Sequence, residues 1–293
     1  FYASRLDKAN QDPWLQNFYY KGETRGFFQN MERVMRDGKP VYLGTKTSDR
    51  WAGDMAWLLY PTLYYEKLYG AGHYDELKQA MLDLLKSWYK DSPDGLGGYI
   101  QHGWRKGDKQ LHETFGHEEG NIDMYALFTL VHDDALAAKI KTWLDHRLRG
   151  KTLPLDLYTW RALAFGKEAE ECLNIPDFDF RYRKTVTFNG KTAVGPYSSC
   201  VSDVNNIWLD GLGHIACAYF SVGNVERGNF YANQMDAFLL DRDINGVKVR
   251  GLPFTANKDG VYSWVDPDRG FVSVAAWYIF AKNRFNPMLI EKY

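Results

Sequence analysis

Apolar residues recur at helical spacing over much of this chain. From Trp51 through Met55, Leu58, Leu59 and Leu63 they form one stripe, which predicts a helix over Trp51–Tyr69. Ser48-Asp49 is placed to cap it. Pro61 falls inside it and is expected to kink or split it, and Gly70-Ala71-Gly72 closes it. His73–Tyr89 repeats the period through Leu77, Met81, Leu84, Leu85 and Trp88, so the two helices read as one antiparallel hairpin. The same pattern pairs Asn121–Val131 with Asp134–Leu148, Leu155–Phe165 with Lys167–Leu173, and Asn206–Phe220 with Val225–Leu240. Arg25–Met35 reads as a short amphipathic helix ended by Asp37-Gly38-Lys39-Pro40, and Phe271–Asn283 as a last buried helix stopped by Asn286-Pro287.

The period breaks in a few places. Residues 1–23 form a lead-in without clear spacing. Gly98–Arg105 reads as a short strand or extended loop ending near Gly107-Asp108. Arg181–Val194 alternates around Asn189-Gly190, the strongest short hairpin signal, and Asn245-Gly246 marks another turn. The helix pairs recur at roughly 35–50 residues, a weak internal repeat. Together these predict a mainly α fold: an (α/α)6-type toroid of helical hairpins with small β-hairpin insertions, forming a single domain over residues 1–293. Residues 174–205 and 241–270 then become insertions at the rim of a cleft.

Composition adds one departure from the ordinary. Hydrophobic residues make up 45% and charged residues 25%, usual for a globular chain, but 20 Tyr, 17 Phe and 10 Trp bring aromatics to 16%. Flat rings stack on sugar faces, so this favours a carbohydrate cleft. A net charge of -1 without a basic stripe gives no invitation to nucleic acid. Cys172, Cys200 and Cys217 form neither a C-x-x-C pair nor an even framework. The longest apolar runs, such as Val272–Ala281, are too short to span a bilayer. The chain begins at Phe1, which reads as a processed or trimmed product. A monomer in the periplasm or outside the cell is expected, with the cytoplasm as the alternative.

Candidate chemistry gathers in Thr114–Phe128, where an acid-rich loop runs into an apolar helix. Glu119 stands four residues before Asp123, on the same helical face. Glycoside hydrolysis needs two carboxylates, one of them held protonated. Glu119 is the candidate acid; Asp54, amid Trp51 and Trp57, and Asp210, after Trp208, are candidates for base or nucleophile, with Asp123 beside them. Trp160 and Trp264 are candidate sugar platforms, and Tyr125, His214, Trp208 and Asn121 candidate substrate contacts. The bland alternatives are that Glu118 and Glu119 complement a helix N-terminus, that Asp54 caps a helix, and that Asp210 bonds His214 one turn on. His112-Glu113-Thr114-Phe115-Gly116-His117 has one residue too many for a zinc H-E-x-x-H and a Gly where helix is required. No metal or cofactor is expected.

Several segments also resemble bacterial proteins of the six-hairpin glycosidase-like superfamily. Glu119-Gly120-Asn121-Ile122-Asp123-Met124-Tyr125-Ala126 resembles that group's Glu-His-Asn-Ile-Asp-Ala-Tyr-Ala. Leu155–Trp160, Ile207–His214, and Ser273–Ala281 followed by Phe285-Asn286-Pro287 resemble three further segments in the same order. The chain departs at Gly120, where the group has His, and at Asp210, where it has Glu. The resemblance implies an α/α toroid and a hydrolase acting on a poly- or oligosaccharide. The alternatives are a polysaccharide lyase, with His214 as base and Asn205, Asn206 or an Arg facing a uronate, and a non-catalytic protein of glycan binding or polysaccharide assembly.

Overall fold

A computed structural model describes residues 1–45, 48–105 and 111–290. The chain divides into two compact units, Phe1–Arg149 with Ile290, and Gly150–Leu289. The mainly α toroid is overturned. The fold is mixed, 45% helix and 21% strand, with five small antiparallel sheets among the described residues.

The first unit opens on two ladders: β1 (Tyr19–Tyr20) pairs with β2 (Glu23–Thr24), and β3 (Met31–Arg36) with β4 (Lys39–Gly44). The second ladder occupies much of the stretch expected as a helix at Arg25–Met35. Its cause is Asp37-Gly38. Both residues take positive φ, 49° and 73°, which turns the chain with the right-handed twist that paired strands need. An Asp-Gly step expected to stop a helix instead nucleates a hairpin. Lys21-Gly22, Asn189-Gly190 and Asn245-Gly246 share the geometry, and the last two join strands where alternation around Asn-Gly predicted a turn.

β5 (Arg50–Trp51) runs directly into α1 (Ala52–Tyr69), which packs against α2 (Asp75–Ser87). Pro61 does not split α1, which stays one helix with the proline exposed. Ser48-Asp49 does not cap it; the N-cap is Trp51, and the Ser48 hydroxyl instead brackets the backbone of Asn30. β6 (Tyr89–Asp91), β7 (Gly98–Arg105) and β8 (Leu111–Gly116) join β5 in a four-stranded sheet in which β7 pairs with the other three. Leu111–Gly116, expected as loop, is therefore strand, while Gly107-Asp108 lies outside the described residues. Gly103 has φ 128°, and a Cβ there would meet the Arg50 carbonyl at 2.2 Å. Glycine at this point lets β5 close on β7 and sets the position of its neighbour His102. α3 (Glu118–Leu130) packs on α1 and on α4 (Asp134–Arg147). Met55, Leu59, Leu85, Ile122, Leu127 and Phe128 are buried at the centre.

The second unit is built around one helix. α5 (Leu155–Phe165) leads through a 3-10 turn (Gly166–Leu173) to α6 (Asn174–Phe178), then to the hairpin of β9 (Arg183–Phe188) and β10 (Lys191–Pro196). α7 (Leu209–Ser221) follows, with α8 (Val225–Gln234), the hairpin of β11 (Leu240–Ile244) and β12 (Val247–Gly251), and α9 (Val272–Asn283). α7 is apolar on nearly every side and is covered by α5, α8, α9 and β10. At Gly213 an added Cβ would sit 2.5 Å from the Trp277 Cβ, so the glycine permits α9 to lie on α7.

A buried carboxylate ties this unit together. Asp177 of α6 accepts from Arg183 at 2.9 Å, from the Arg227 Nε at 2.9 Å and from a second Arg227 nitrogen. It also accepts from the hydroxyls of Tyr219 and Tyr231. One acid thus joins α6, β9, α7 and α8.

Candidate functional site

Two helix starts meet at a cavity of about 360 Å³ in the first unit. Asp54 lies in the first turn of α1, and Glu119 in the first turn of α3 with Asp123 one turn on; all three line the cavity. The helix starts come close because each presents a glycine: a Cβ on Gly53 would lie 3.7 Å from the Gly120 Cα and 3.3 Å from the Asp123 Oδ2. Neither start carries a side-chain cap, the N-cap positions being the ring residues Trp51 and His117. The first-turn amides are thus left unclaimed by cap side chains.

Rings form the wall. Trp51 and His102 have centroids 4.7 Å apart, His102 stacks on Phe115 at 5.1 Å, and His117 stands 5.2 Å from His102. Burial, with His117 adjacent, pulls His102 down to about 4, so its imidazole is neutral at ordinary pH. Asp54 is shifted the other way. Burial, and then the charge of Asp49, pushes its carboxyl up to about 6. The Asp54 Oδ2 and the Trp51 Nε1 are both buried without a hydrogen-bond partner, an arrangement that a ligand rich in hydroxyls would satisfy.

Other expected contacts have different work. The Asn121 side chain accepts from the Ile100 amide at 2.7 Å and donates to the Ile100 carbonyl at 3.0 Å and the His117 carbonyl at 2.9 Å. Its amide is committed to backbone, and it fixes α3 against β7. The Tyr60 hydroxyl donates to the Asp123 carbonyl at 2.7 Å, which bonds α1 to α3. Tyr125 is half-buried further along α3.

Asp210 belongs to the second unit. Its Oδ2 accepts from the Ser273 hydroxyl at 3.1 Å, its Oδ1 is buried without a partner, and burial pushes the carboxyl up to about 7. His214 does not reach solvent. It is 3% exposed, boxed by Trp277 at 4.3 Å, Trp160 at 4.4 Å and Trp208 at 5.1 Å, and burial drops it well below the usual imidazole range. Trp160 is buried in this box, away from any rim, whereas Trp264 is 63% exposed.

These two groups oppose each other with pH. Asp210 titrates higher folded than unfolded, so its contribution is intact at acid pH and is lost as pH rises from about 4 through about 7. His214 titrates lower folded than unfolded, so its contribution is present above about 6.5 and lost as pH falls. Asp210→Asn keeps the shape and an acceptor for Ser273 while removing the charge. It is expected to raise stability at pH 8 by on the order of 2–4 kcal/mol, the gain fading toward pH 4. Urea unfolding across that range checks it; a gain that does not change with pH would contradict the assignment.

His102, His117, Arg105 and Gln29 also line the cavity and were not among the expected site residues. The signal for His102 was a histidine beside a glycine in a strand, which alternation alone does not aim at a site. Among the described residues, no group of three or more His, Cys, Asp or Glu is arranged to hold a metal ion, and no helix is long and apolar enough to cross a membrane.

Comparison with known proteins adds no relative: no protein-family model matches the chain, and neither does any curated protein. Membership of the six-hairpin glycosidase-like superfamily is therefore withdrawn. The short segments that resemble it lie in a mixed α/β fold with five small sheets, and no match over a longer stretch supports them.

Proposed function

We propose that this chain hydrolyses a glycosidic bond, with Asp54 as proton donor and Glu119 as the second carboxylate. The observation that carries the reading is the Asp54 carboxyl. It is buried in a ring-walled cavity, its Oδ2 is without a partner, and it holds its proton to about pH 6. A carboxyl of that kind can protonate a leaving oxygen near neutral pH. The geometry supports the reverse of the expected roles. Asp54 and Glu119 both stand in the first turn of a helix, and Asp54 is the acid that burial keeps neutral. Trp51, Trp57 and Phe115 line the cavity with aromatic surface of the kind that packs on a pyranose ring, and neither helix start that borders it carries a side-chain cap.

The elimination alternative draws less support. His214, its proposed base, is enclosed by three indoles. Asn206, proposed to face a uronate, is buried, with its amide donating to Asn257 and Asp259 and its oxygen accepting from Ile207 and Asn257.

The test is release of reducing ends from a panel of soluble polysaccharides and their oligosaccharides, followed with pH. Activity is expected, and kcat/KM should fall on the alkaline side with an apparent pKa near 6, as Asp54 gives up its proton. Binding without turnover at any pH would favour a glycan-binding protein. A profile level from pH 5 to 8 would remove Asp54 from the role of acid.

A further inference from the structure

Charge is divided across the cavity of the first unit. Among the described residues, the acids that line it all come from helices: Asp54 from α1, Glu119 and Asp123 from α3. The basic side chains come from the sheet. His102 and Arg105 stand on β7, and His117 follows β8 at the entry to α3. The basic residues are near one another. His102 and His117 have ring centroids 5.2 Å apart. Burial holds His102 neutral, and the proximity of His117 and Arg105 adds to it, while Asp49 opposes them. A further cation is thus disfavoured on this side of the cavity, and an anion is correspondingly favoured.

The polar atoms of this side are also uncommitted. Neither imidazole makes a hydrogen bond to a described residue through its ring. Arg105 approaches Glu113, which does not line the cavity, at 3.3 Å, but donates no hydrogen bond to any described residue, and its side chain is 60% exposed. Its planar fork of donors is open to a ligand. Glycosidic cleavage builds positive charge at the reacting carbon, which the carboxylates of the helix side suit. The strand side does not serve that step. Its donors suit a negative group carried by the same sugar, since a guanidinium matches an oxyanion in two parallel hydrogen bonds.

We infer that the cavity takes an acidic sugar, its carboxylate or sulfate held by Arg105, His102 and His117 while the glycosidic bond lies against the helix starts. This rests on the hydrolase reading for the ligand being a sugar; the charge that the sugar carries follows from the strand residues alone. Arg105 is then a specificity-determining residue, and it reads a group that the bond-breaking step does not use.

The experiment gives the full wild-type chain matched polymers: polygalacturonate and hyaluronan against their methyl esters, and a sulfated galactan against its desulfated form. Release of reducing ends is followed for each. In at least one pair the charged member is expected to be cleaved with kcat/KM about tenfold or more above its neutral partner; the first two pairs answer for carboxylate and the third for sulfate. Arg105→Gln should raise KM for that polymer about tenfold with a smaller change in kcat, and Arg105→Lys, which keeps the charge and loses the fork, should fall between. Equal cleavage within every pair, or a preference that Arg105→Gln leaves unchanged, would overturn the inference and leave the hydrolase reading standing. An unsaturated product from the charged polymer would replace hydrolysis by elimination and keep the assignment of charge. Where no polymer is cleaved, titration of tryptophan fluorescence decides. Binding of charged members alone, lost in the Arg105→Gln chain, would keep the charge assignment without the hydrolase, and any other result would overturn both.

Discussion

Asp54→Asn is expected to cut hydrolysis by about 10²–10⁴-fold, the usual contribution of a positioned general acid. The amide is isosteric but does not release a proton to a leaving oxygen. Instability will not account for the loss. Asp54 titrates at about 6 in the folded chain against 3.8 ordinarily, so above pH 6 the folded state carries a penalty for its charge that the amide removes. The variant should unfold at the same or higher urea concentration than wild type at pH 8 while turning over far more slowly. Substrate choice sharpens the test. An aryl glycoside whose leaving group departs without protonation should lose much less than a natural oligosaccharide. Equal losses on both would point to Asp54 as nucleophile, and little loss on either would take the chemistry away from this cavity.

Asp177→Ala should destabilise the second unit by roughly 3–5 kcal/mol, the scale of cost for removing one partner of a buried ion pair. The carboxylate is fully buried and accepts from two guanidinium groups and two phenols contributed by three other elements, β9, α7 and α8. Removing it leaves Arg183 and Arg227 facing each other without a counter-charge, and two hydroxyls without an acceptor. Asp177→Asn offers only a partial remedy, because one of its two acceptor positions becomes a donor aimed at other donors. Both variants should melt earlier, alanine by on the order of 10 °C. A fall equivalent to less than about 1 kcal/mol would mean that the cluster is held by its surrounding packing.

The helices were the legible part of this sequence. Met55, Leu59, Ile122 and Leu127 recur at helical spacing and are buried as that spacing requires. Periodicity, however, does not say how helix pairs assemble, and a ring of hairpins was inferred from recurrence alone. Short exposed strands carry little alternation, so Met31–Gly44 was legible only through its Asp-Gly turn, which reads equally as a helix stop. Within the candidate site, Asp54, Glu119 and Asp123 were found as acids among rings at helix starts. Which acid keeps its proton depends on burial, and burial is set by tertiary packing. Asp177 was invisible because its four partners are 6 to 54 residues away in the chain, and no local pattern links them.

The uncapped starts of α1 and α3 carry a dynamic consequence. With Trp51 and His117 at the cap positions, neither side chain caps the opening turn that follows it, and residues of both turns line the space a ligand would fill. Occupancy and fraying at these ends then become one equilibrium. A ligand in the cavity is therefore expected to slow amide exchange in the first turns of α1 and α3, which hydrogen exchange with and without oligosaccharide would read.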